Sequence, residues 1–292
     1  MKGKIIRGIA GFYYVHTGKG EIYTCKAKGI FRKLGIKPLV GDDVEMSVID
    51  ESAKEGNVDQ IFPRKNALIR PAVANVDQAL VIFAMNRPLP NFNLLDRFLV
   101  MIRQQGLPGI VCFNKTDMAT QQEEQAFRDI YGAVGCRLVF TSTLDGSGIE
   151  ELKDLLQGKT TTAAGPSGVG KSSLVNTLQT HVRMETGAVS EKIARGKHTT
   201  RHSELICIAE DTYLMDTPGF SSLGLFHLEK EELRYLYPEF LPYENKCRFM
   251  GCVHVHEPDC MVRTALSEGK INKIRYDNYC LLYEELKNQK KY

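Results

Sequence analysis

The sequence predicts an α/β domain with a parallel sheet at residues 71–228. A small all-β domain at 1–70 precedes it, and a mostly helical, metal-binding domain at 229–292 follows. Three observations carry this reading. From Val76 onward, apolar runs of buried-strand type alternate with stretches of helical periodicity, the pattern of a sheet covered by helices. A glycine-rich loop, GPSGVGKSS at 165–173, stands between one such run and one such helix. Near the C-terminus, cysteines and histidines gather in CRFMGCVHVHEPDC at 247–260.

Bulk properties agree. A chain of 292 residues has room for two or three domains, and 43% apolar with 25% charged residues is ordinary for a soluble globular protein. The longest apolar runs, such as 79–85 and 98–102, fall far short of the ~20 residues of a membrane helix. MKGKIIRG lacks a signal-peptide core, so the expectation is a cytoplasmic protein with no membrane partner. There, eight cysteines stay reduced; Cys25, Cys112, Cys136, Cys207 and Cys280 read as core residues. The net charge of +3 hides an uneven distribution. Residues 1–70 hold 13 Lys and Arg against 8 Asp and Glu, residues 71–244 hold 16 against 21, and residues 245–292 hold 9 against 6. Basic flanks suggest a polyanionic partner, although solvated surface charge gives the same count.

Taken in order, GKIIRGIAGFYYVHT, EIYTCKAKG and GDDVEMSVID read as strands separated by turns. An OB-fold and another small β-domain fit this pattern equally. DQALVIFAM is a buried parallel strand, NLLDRFLVMIRQQG a helix, and GIVCFNKTD a second strand. QQEEQAFRDIYGAVG is a helix, RLVFTSTLDG a strand and GIEELKDLLQG a helix. TTAAGPSGVGKSSLVNTL is a strand, loop and helix, and ELICIAEDTYLMDTPG a hairpin. From about Glu229 the chain is helical with a polar, Pro-broken stretch, and from about Cys260 it is helical to the end.

The motifs fall on loops at strand C-terminal ends, where α/β sheets bind ligands. Gly165, Pro166, Ser167, Gly168, Val169, Gly170, Lys171, Ser172 and Ser173 form a phosphate loop. Its backbone N–H groups would turn around the β-phosphate, Lys171 would reach the β- and γ-phosphates, and Ser172 would bind Mg²⁺ at a helix N-terminus. In DTPG at 216–219, Asp216 suits Mg²⁺ through water and the Gly219 N–H suits the γ-phosphate. In GKHTTRH at 196–202, a threonine would hold Mg²⁺ while the γ-phosphate is present and release it after hydrolysis. Thr199 and Thr200 are the candidates, and the residues alone do not separate them. With Thr200, the Mg²⁺ set is Ser172, Thr200 and Asp216.

NKTD, at Asn114, Lys115, Thr116 and Asp117, supplies base recognition. The Asp117 carboxylate can accept from guanine N1–H and the exocyclic amine, which adenine cannot match. Asn114 can meet the other ring edge, and the Lys115 stem can cover the face. In TST at 141–143, around Ser142, a backbone N–H could meet guanine O6. The base motifs precede the phosphate loop, the reverse of the ordinary GTPase order. Cutting a GTPase after its first three motifs and joining its old ends reproduces this arrangement, so the expected fold is a circularly permuted P-loop GTPase. Cys247, Cys252, His254 and Cys260 make a closed tetrahedral Zn²⁺ site of structural type, with His256 as the alternative imidazole.

These segments, with RKNALIRPAVANVDQAL at 64–80, LLDRFL at 94–99, RGKHTTRHSEL at 195–205 and DTPGFSSL at 216–223, resemble the circularly permuted ribosome-assembly GTPases of the RsgA (YjeQ) family over essentially the whole chain. The resemblance implies an N-terminal OB-fold, a permuted GTPase and a C-terminal zinc domain whose ligands map to Cys247, Cys252, His254 and Cys260. It implies GTP and GDP as ligands, binding to the 30S subunit and its 16S rRNA late in maturation, and hydrolysis stimulated by that subunit. Phe220 follows Gly219 where Ras-like enzymes carry a water-positioning Gln, a replacement the family shares, so hydrolysis should be slow in isolation. His198 is the catalytic candidate because the family's switch carries a His there, with Lys171, Thr199 and Thr200 beside it. Nothing demands a dimer or DNA. An RNA-binding module using GTP only as a conformational switch is the alternative. Motif order and the zinc cluster argue against a translation or tRNA-modification GTPase.

Overall fold

The computed structural model describes residues 1–18, 20–69, 71–185, 204–216 and 228–289, with backbone alone at 180–185 and 216. It comprises two compact units, Met1–Leu80 with Ile149–Gly165 and Lys171–Ser221, and Val81–Gly148 with Pro166–Gly170 and Ser222–Tyr292.

The first unit begins with β1 (Lys2–Ile9), β2 (Phe12–Thr17), β3 (Ile22–Ala27), the short α1 (Gly29–Lys33), β4 (Asp43–Asp50) and β5 (Glu55–Ile61). The strands close into a barrel in the order β1-β2-β3-β5-β4, with β3 and β5 parallel and the other pairs antiparallel. This is an OB-like barrel. Alternation along the strands sends Ile5, Val15, Tyr23, Cys25, Val44, Met46 and Val58 inward, and Phe31 of α1 plugs them. A two-strand ribbon, β6 (Ala67–Leu68) and β7 (Val73–Ala74), follows. It is tied to the barrel by the Arg64 guanidinium, which donates to both oxygens of fully buried Asp42 at 2.6 and 2.8 Å.

Next come β8 (Gln78–Ala84), α2 (Phe92–Gln104), β9 (Gly109–Asn114), α3 (Gln121–Tyr131), β10 (Arg137–Thr141), α4 (Ile149–Leu156), β11 (Thr160–Ala164), α5 (Lys171–Glu185), β12 (Leu205–Ala209) and β13 (Thr212–Asp216). Six strands form one sheet in the order β10-β9-β8-β11-β13-β12. β10 runs parallel to β9 and β11 parallel to β13, while β12 returns antiparallel as the edge. Every residue of β8 is buried, which is why its sequence is an unbroken apolar run after Gln78. Strand order reverses at β8, which has β9 on one side and β11 on the other.

The barrel meets the β12–β13 hairpin within the first unit. Arg7 and Glu204 form an antiparallel bridge, and their side chains lie 3.5 Å apart as an ion pair. His16 Nδ1 lies 2.8 Å from the Tyr213 hydroxyl.

In the second unit, two 3₁₀ turns at Leu233–Leu236 and Pro238–Tyr243 lead to α6 (Met261–Ser267) and α7 (Lys273–Asn288). The expected continuous helix from Cys260 is broken: α6 stops at Ser267, and Asn272 caps a new helix by accepting from the Ile274 N–H at 2.9 Å. α7 packs on α2 around Asp96, which is wholly buried. Asp96 accepts from Tyr131 at 3.0 Å, from Asn278 at 2.7 Å and from the Arg275 guanidinium, which also donates to Glu239 at 2.7 Å. Of the cysteines expected in the core, Cys25 and Cys112 are buried, whereas Cys136, Cys207 and Cys280 are half-buried. None of the described helices is long and apolar enough to cross a membrane.

Candidate functional site

The NKTD segment leaves β9 and turns at once. Asn114, the last strand residue, is wholly buried; Lys115 adopts a left-handed backbone at φ 66°, and Thr116–Met118 form a 3₁₀ turn. That turn leaves Asp117 exposed. Behind it, Phe113 packs edge-to-face on Phe127 of α3, with ring centroids 4.8 Å apart. Thr120 and Glu123 close a capping box that starts α3 immediately after the motif.

Within this unit the motif grips the phosphate-loop segment from about 50 residues later in the chain. One Asn114 amide hydrogen goes to the Val169 carbonyl at 2.9 Å, while the Asn114 carbonyl oxygen accepts from the Thr141 hydroxyl at 3.1 Å. The Lys115 ammonium donates to the Gly168 carbonyl at 2.7 Å and the Arg87 carbonyl at 2.6 Å. Gly170 lies beneath, at φ +93°, where a Cβ would run into the Asn114 amide and approach Lys115 Cε. Both groups expected to meet the base are thus also struts holding the loop.

Ser142 is tied in on both its backbone and its side chain. Its backbone N–H donates to the Ser147 carbonyl at 3.0 Å, so that donor is committed within its own turn. Its hydroxyl instead donates to the Asp117 carboxylate at 2.7 Å, and accepts from the Leu144 N–H at 3.1 Å. Sequence reasoning expects a backbone N–H of 141–143 at guanine O6; in addition the Ser142 hydroxyl aims the carboxylate that would read the base. Arg87 was missed altogether, because a backbone carbonyl leaves no mark in a sequence.

On the phosphate side, Val169 is buried, and Ser167 and Gly168 are exposed. Pro166 and Gly165 are half-buried. In the first unit, α5 starts at Lys171, whose ammonium donates to the Gly165 carbonyl at 2.7 Å. Ser172 and Ser173 occupy the exposed first turn of α5, where N–H groups and the helix dipole favour an anion. β13 ends at Asp216, in register with Ala163 of β11. His198, Thr199, Thr200 and Gly219 lie outside the described residues, as does the Asp216 side chain.

The third constellation is complete. The ligand atoms of Cys247, Cys252, His254 and Cys260 all lie within 4.8 Å of one another. Sulfur–sulfur separation is 3.9 Å for Cys247 and Cys260, and His254 Nδ1 lies 3.6 and 3.4 Å from those two sulfurs. Tetrahedral Zn²⁺ with bonds of about 2.3 Å to sulfur and about 2.0 Å to nitrogen needs edges of roughly 3.5–3.8 Å. The separations among Cys247, His254 and Cys260 match those edges, and Cys252 lies within 4.8 Å of all three. His254 Nε2 is buried without a hydrogen-bond partner, and a Glu244 carboxylate oxygen, likewise unpartnered, lies 3.6 Å away. Burial holds the Cys252 thiol well above its usual range, so a bound cation would have to displace its proton. His256, the alternative imidazole, points outward at 76% side-chain exposure towards Glu284. Surrounding hydrogen bonds hold the loop: Glu257 accepts from the Val253 N–H at 2.8 Å, and the Tyr279 and Tyr276 hydroxyls donate to the Val253 and His254 carbonyls at 2.6 and 2.8 Å.

A family model described as RsgA GTPase matches residues 61–226, and one described as RsgA N-terminal domain matches residues 2–58. The small ribosomal subunit biogenesis GTPase RsgA of Agathobacter rectalis is 61% identical over 100% of this chain and 100% of its own. That of Alkaliphilus metalliredigens is 49% identical over 100% and 99%. Among solved structures, YjeQ from Thermotoga maritima superposes with a TM-score of 0.83 at 34% identity, covering 99% of each chain. YloQ, described as a circularly permuted GTPase, gives 0.79 at 36% identity over 100% of this chain and 96% of its own.

Proposed function

The chain belongs to the RsgA GTPase family, and from that premise we propose that it binds the 30S subunit and uses GTP hydrolysis to drive late maturation and its own release. It is a GTP-hydrolysing enzyme of small ribosomal subunit biogenesis. The observation that supports this reading best is the clasp of Asn114 and Lys115 on the Val169 and Gly168 carbonyls. It joins a guanine-reading motif to a phosphate loop, so a base and a phosphate chain can be held at a fixed spacing.

In the proposed reaction Asp117, aimed by Ser142, accepts from guanine N1–H and the exocyclic amine. Lys171 and the first turn of α5 hold the β- and γ-phosphates. Ser172, Thr200 and Asp216 would hold Mg²⁺, which neutralises charge on the phosphate oxygens when bound. Thr199 and His198 belong to the switch, with His198 assigned to completing hydrolysis once the small subunit is engaged. Zn²⁺ in the Cys247, Cys252, His254 and Cys260 cage is structural, since four protein ligands leave no open position. The division into an OB-type domain at 1–70, a GTPase at 71–228 and a zinc domain at 229–292 puts basic flanks on either side of the enzyme. They would contact 16S rRNA with an affinity that falls steeply with salt. The protein acts as a monomer in the bacterial cytoplasm, without DNA or membrane.

The test is GTP turnover with and without 30S subunits, for the parent chain and His198→Ala. The expected result is a rise of tenfold or more with subunits, lost in His198→Ala while GTP affinity is kept. Unchanged turnover at every subunit concentration would leave a guanine-nucleotide-binding module and sink the catalytic reading.

A further inference from the structure

Two cross-strand pairs of the barrel reach the same hairpin. Arg7 of β1 stands opposite Tyr14 of β2, and Lys4 stands opposite His16. The Arg7 guanidinium lies 4.0 Å from the Tyr14 ring centroid and 3.5 Å from the Glu204 carboxylate, and the Arg7 and Glu204 backbones form a β-bridge. Further along, His16 Nδ1 lies 2.8 Å from the Tyr213 hydroxyl, and the Lys4 ammonium stands 5.7 Å from the Tyr213 ring centroid. Tyr213 is 3% exposed, so this contact is sealed. The first contact falls at the entry to β12 and the second falls on β13, the neighbouring strand. One attachment would leave the hairpin free to pivot on the barrel; two attachments, on different strands, fix its rotation as well.

The two contacts also sit at informative places in the chain. Glu204 comes two residues after GKHTTRH, and Tyr213 comes three residues before Asp216. Nothing in the nucleotide chemistry requires these positions to touch the barrel. β12 is the sheet edge, which a protein must cover, but any apolar contact would cover it. What is present instead is an ion pair and a hydrogen bond, both directional.

We infer that Arg7 and His16 are positioning residues: they clamp the β12–β13 hairpin to the barrel, so that the two move as one body and a nucleotide-driven change at either end of the hairpin reaches the barrel. The inference rests on the reading of 196–202 and 216–219 given under Proposed function. It adds a route by which RNA held on the barrel would bias hydrolysis. Coupling is reciprocal, so the same route must carry nucleotide state back to the barrel, and that direction can be tested without ribosomes.

Amide hydrogen exchange of the full chain, loaded with GDP or with a non-hydrolysable GTP analogue, reads it directly. Exchange in β1 and β2 should differ by threefold or more between the two nucleotides. Arg7→Ala with His16→Ala should abolish that difference while keeping affinity for both nucleotides within twofold. Arg7→Lys, which keeps the ion pair, should preserve it. Tyr213→Phe, which keeps the ring and removes only the hydroxyl, should reduce it without unfolding the hairpin. A barrel indifferent to nucleotide in the parent chain, or a response that survives the double substitution, overturns the clamp. A parent chain that binds no guanine nucleotide overturns the functional reading and the clamp together.

Discussion

The Ser142 hydroxyl donates to the Asp117 carboxylate at 2.7 Å, across a gap of 25 residues. An exposed carboxylate at a loop tip would otherwise sample several rotamers, and only one faces the hydrogens of guanine. Ser142→Ala should therefore weaken GTP binding by roughly three- to tenfold, in line with about 1 kcal/mol for one net hydrogen bond. Turnover at saturating GTP should barely change. Asp117→Asn replaces an acceptor with a donor on one side and should move preference from guanine to xanthine nucleotides. Fluorescence titration with both nucleotide series checks each variant; equal affinities for parent and Ser142→Ala would show that Asp117 needs no partner.

Gly170 holds a different kind of constraint. An alanine there must adopt φ +93° and place its methyl against the Asn114 amide. The conformational cost is about 1–2 kcal/mol before any displacement of Asn114. Gly170→Ala should lose nucleotide binding by tenfold or more and also lower the melting temperature. Calorimetry with and without GDP separates the two effects, and a variant that binds GDP normally would contradict the close approach.

The metal cage makes a stoichiometric prediction. Purified protein should carry one zinc per chain by elemental analysis, and Cys252→Ser should carry far less. Removing zinc with a chelator should lower the melting temperature by several degrees, because three cysteines and a buried imidazole would lose the ion that links them. GDP affinity should stay within about threefold, since neither Asn114 nor Lys115 contacts the cage. Zinc-free protein with unchanged melting would remove the structural role.

Asp96 should be the most sensitive charge in the second unit. Asp96→Ala leaves the buried Arg275 with Glu239 as its remaining carboxylate partner among the described contacts. Breaking one side of such a buried network costs about 3–5 kcal/mol. Urea denaturation should show a loss in that range, whereas Arg97→Ala, whose Glu285 partner is on the surface, should cost about 1 kcal/mol or less. Equal losses would mean that burial does not matter at this junction.

Much of this was legible because some segments have only one reading. β8 is apolar throughout because both faces are covered, and the phosphate loop needs its glycines wherever it occurs. The residues that escaped notice are those whose role depends on distant partners. β5, EGNVDQI, has too few apolar residues to announce a strand; it is held by pairing with β3 and β4. Ser142 sits in a polar loop like many others until Asp117 is placed beside it. Spacing alone could not choose between His254 and His256, because two residues along a loop can point either way. Burial of the first and exposure of the second separates them. Asp96, Glu239 and Arg275 read as ordinary helix or turn charges because nothing local reveals that they face one another.

The strand order has a consequence for how the protein is made. The chain leaves the ribosome from its N-terminus, so the end of β9 and the NKTD turn emerge about 50 residues before the phosphate loop they will clasp. At roughly 5–20 residues per second that is an interval of several seconds, during which the Asn114 amide has no Val169 carbonyl to bond. The half-made sheet cannot yet hold GTP at all. A nascent chain therefore cannot be charged with nucleotide before β11 and α5 have been translated. Chains arrested just before Thr160 should show no GTP affinity in a pull-down, whereas the released chain should.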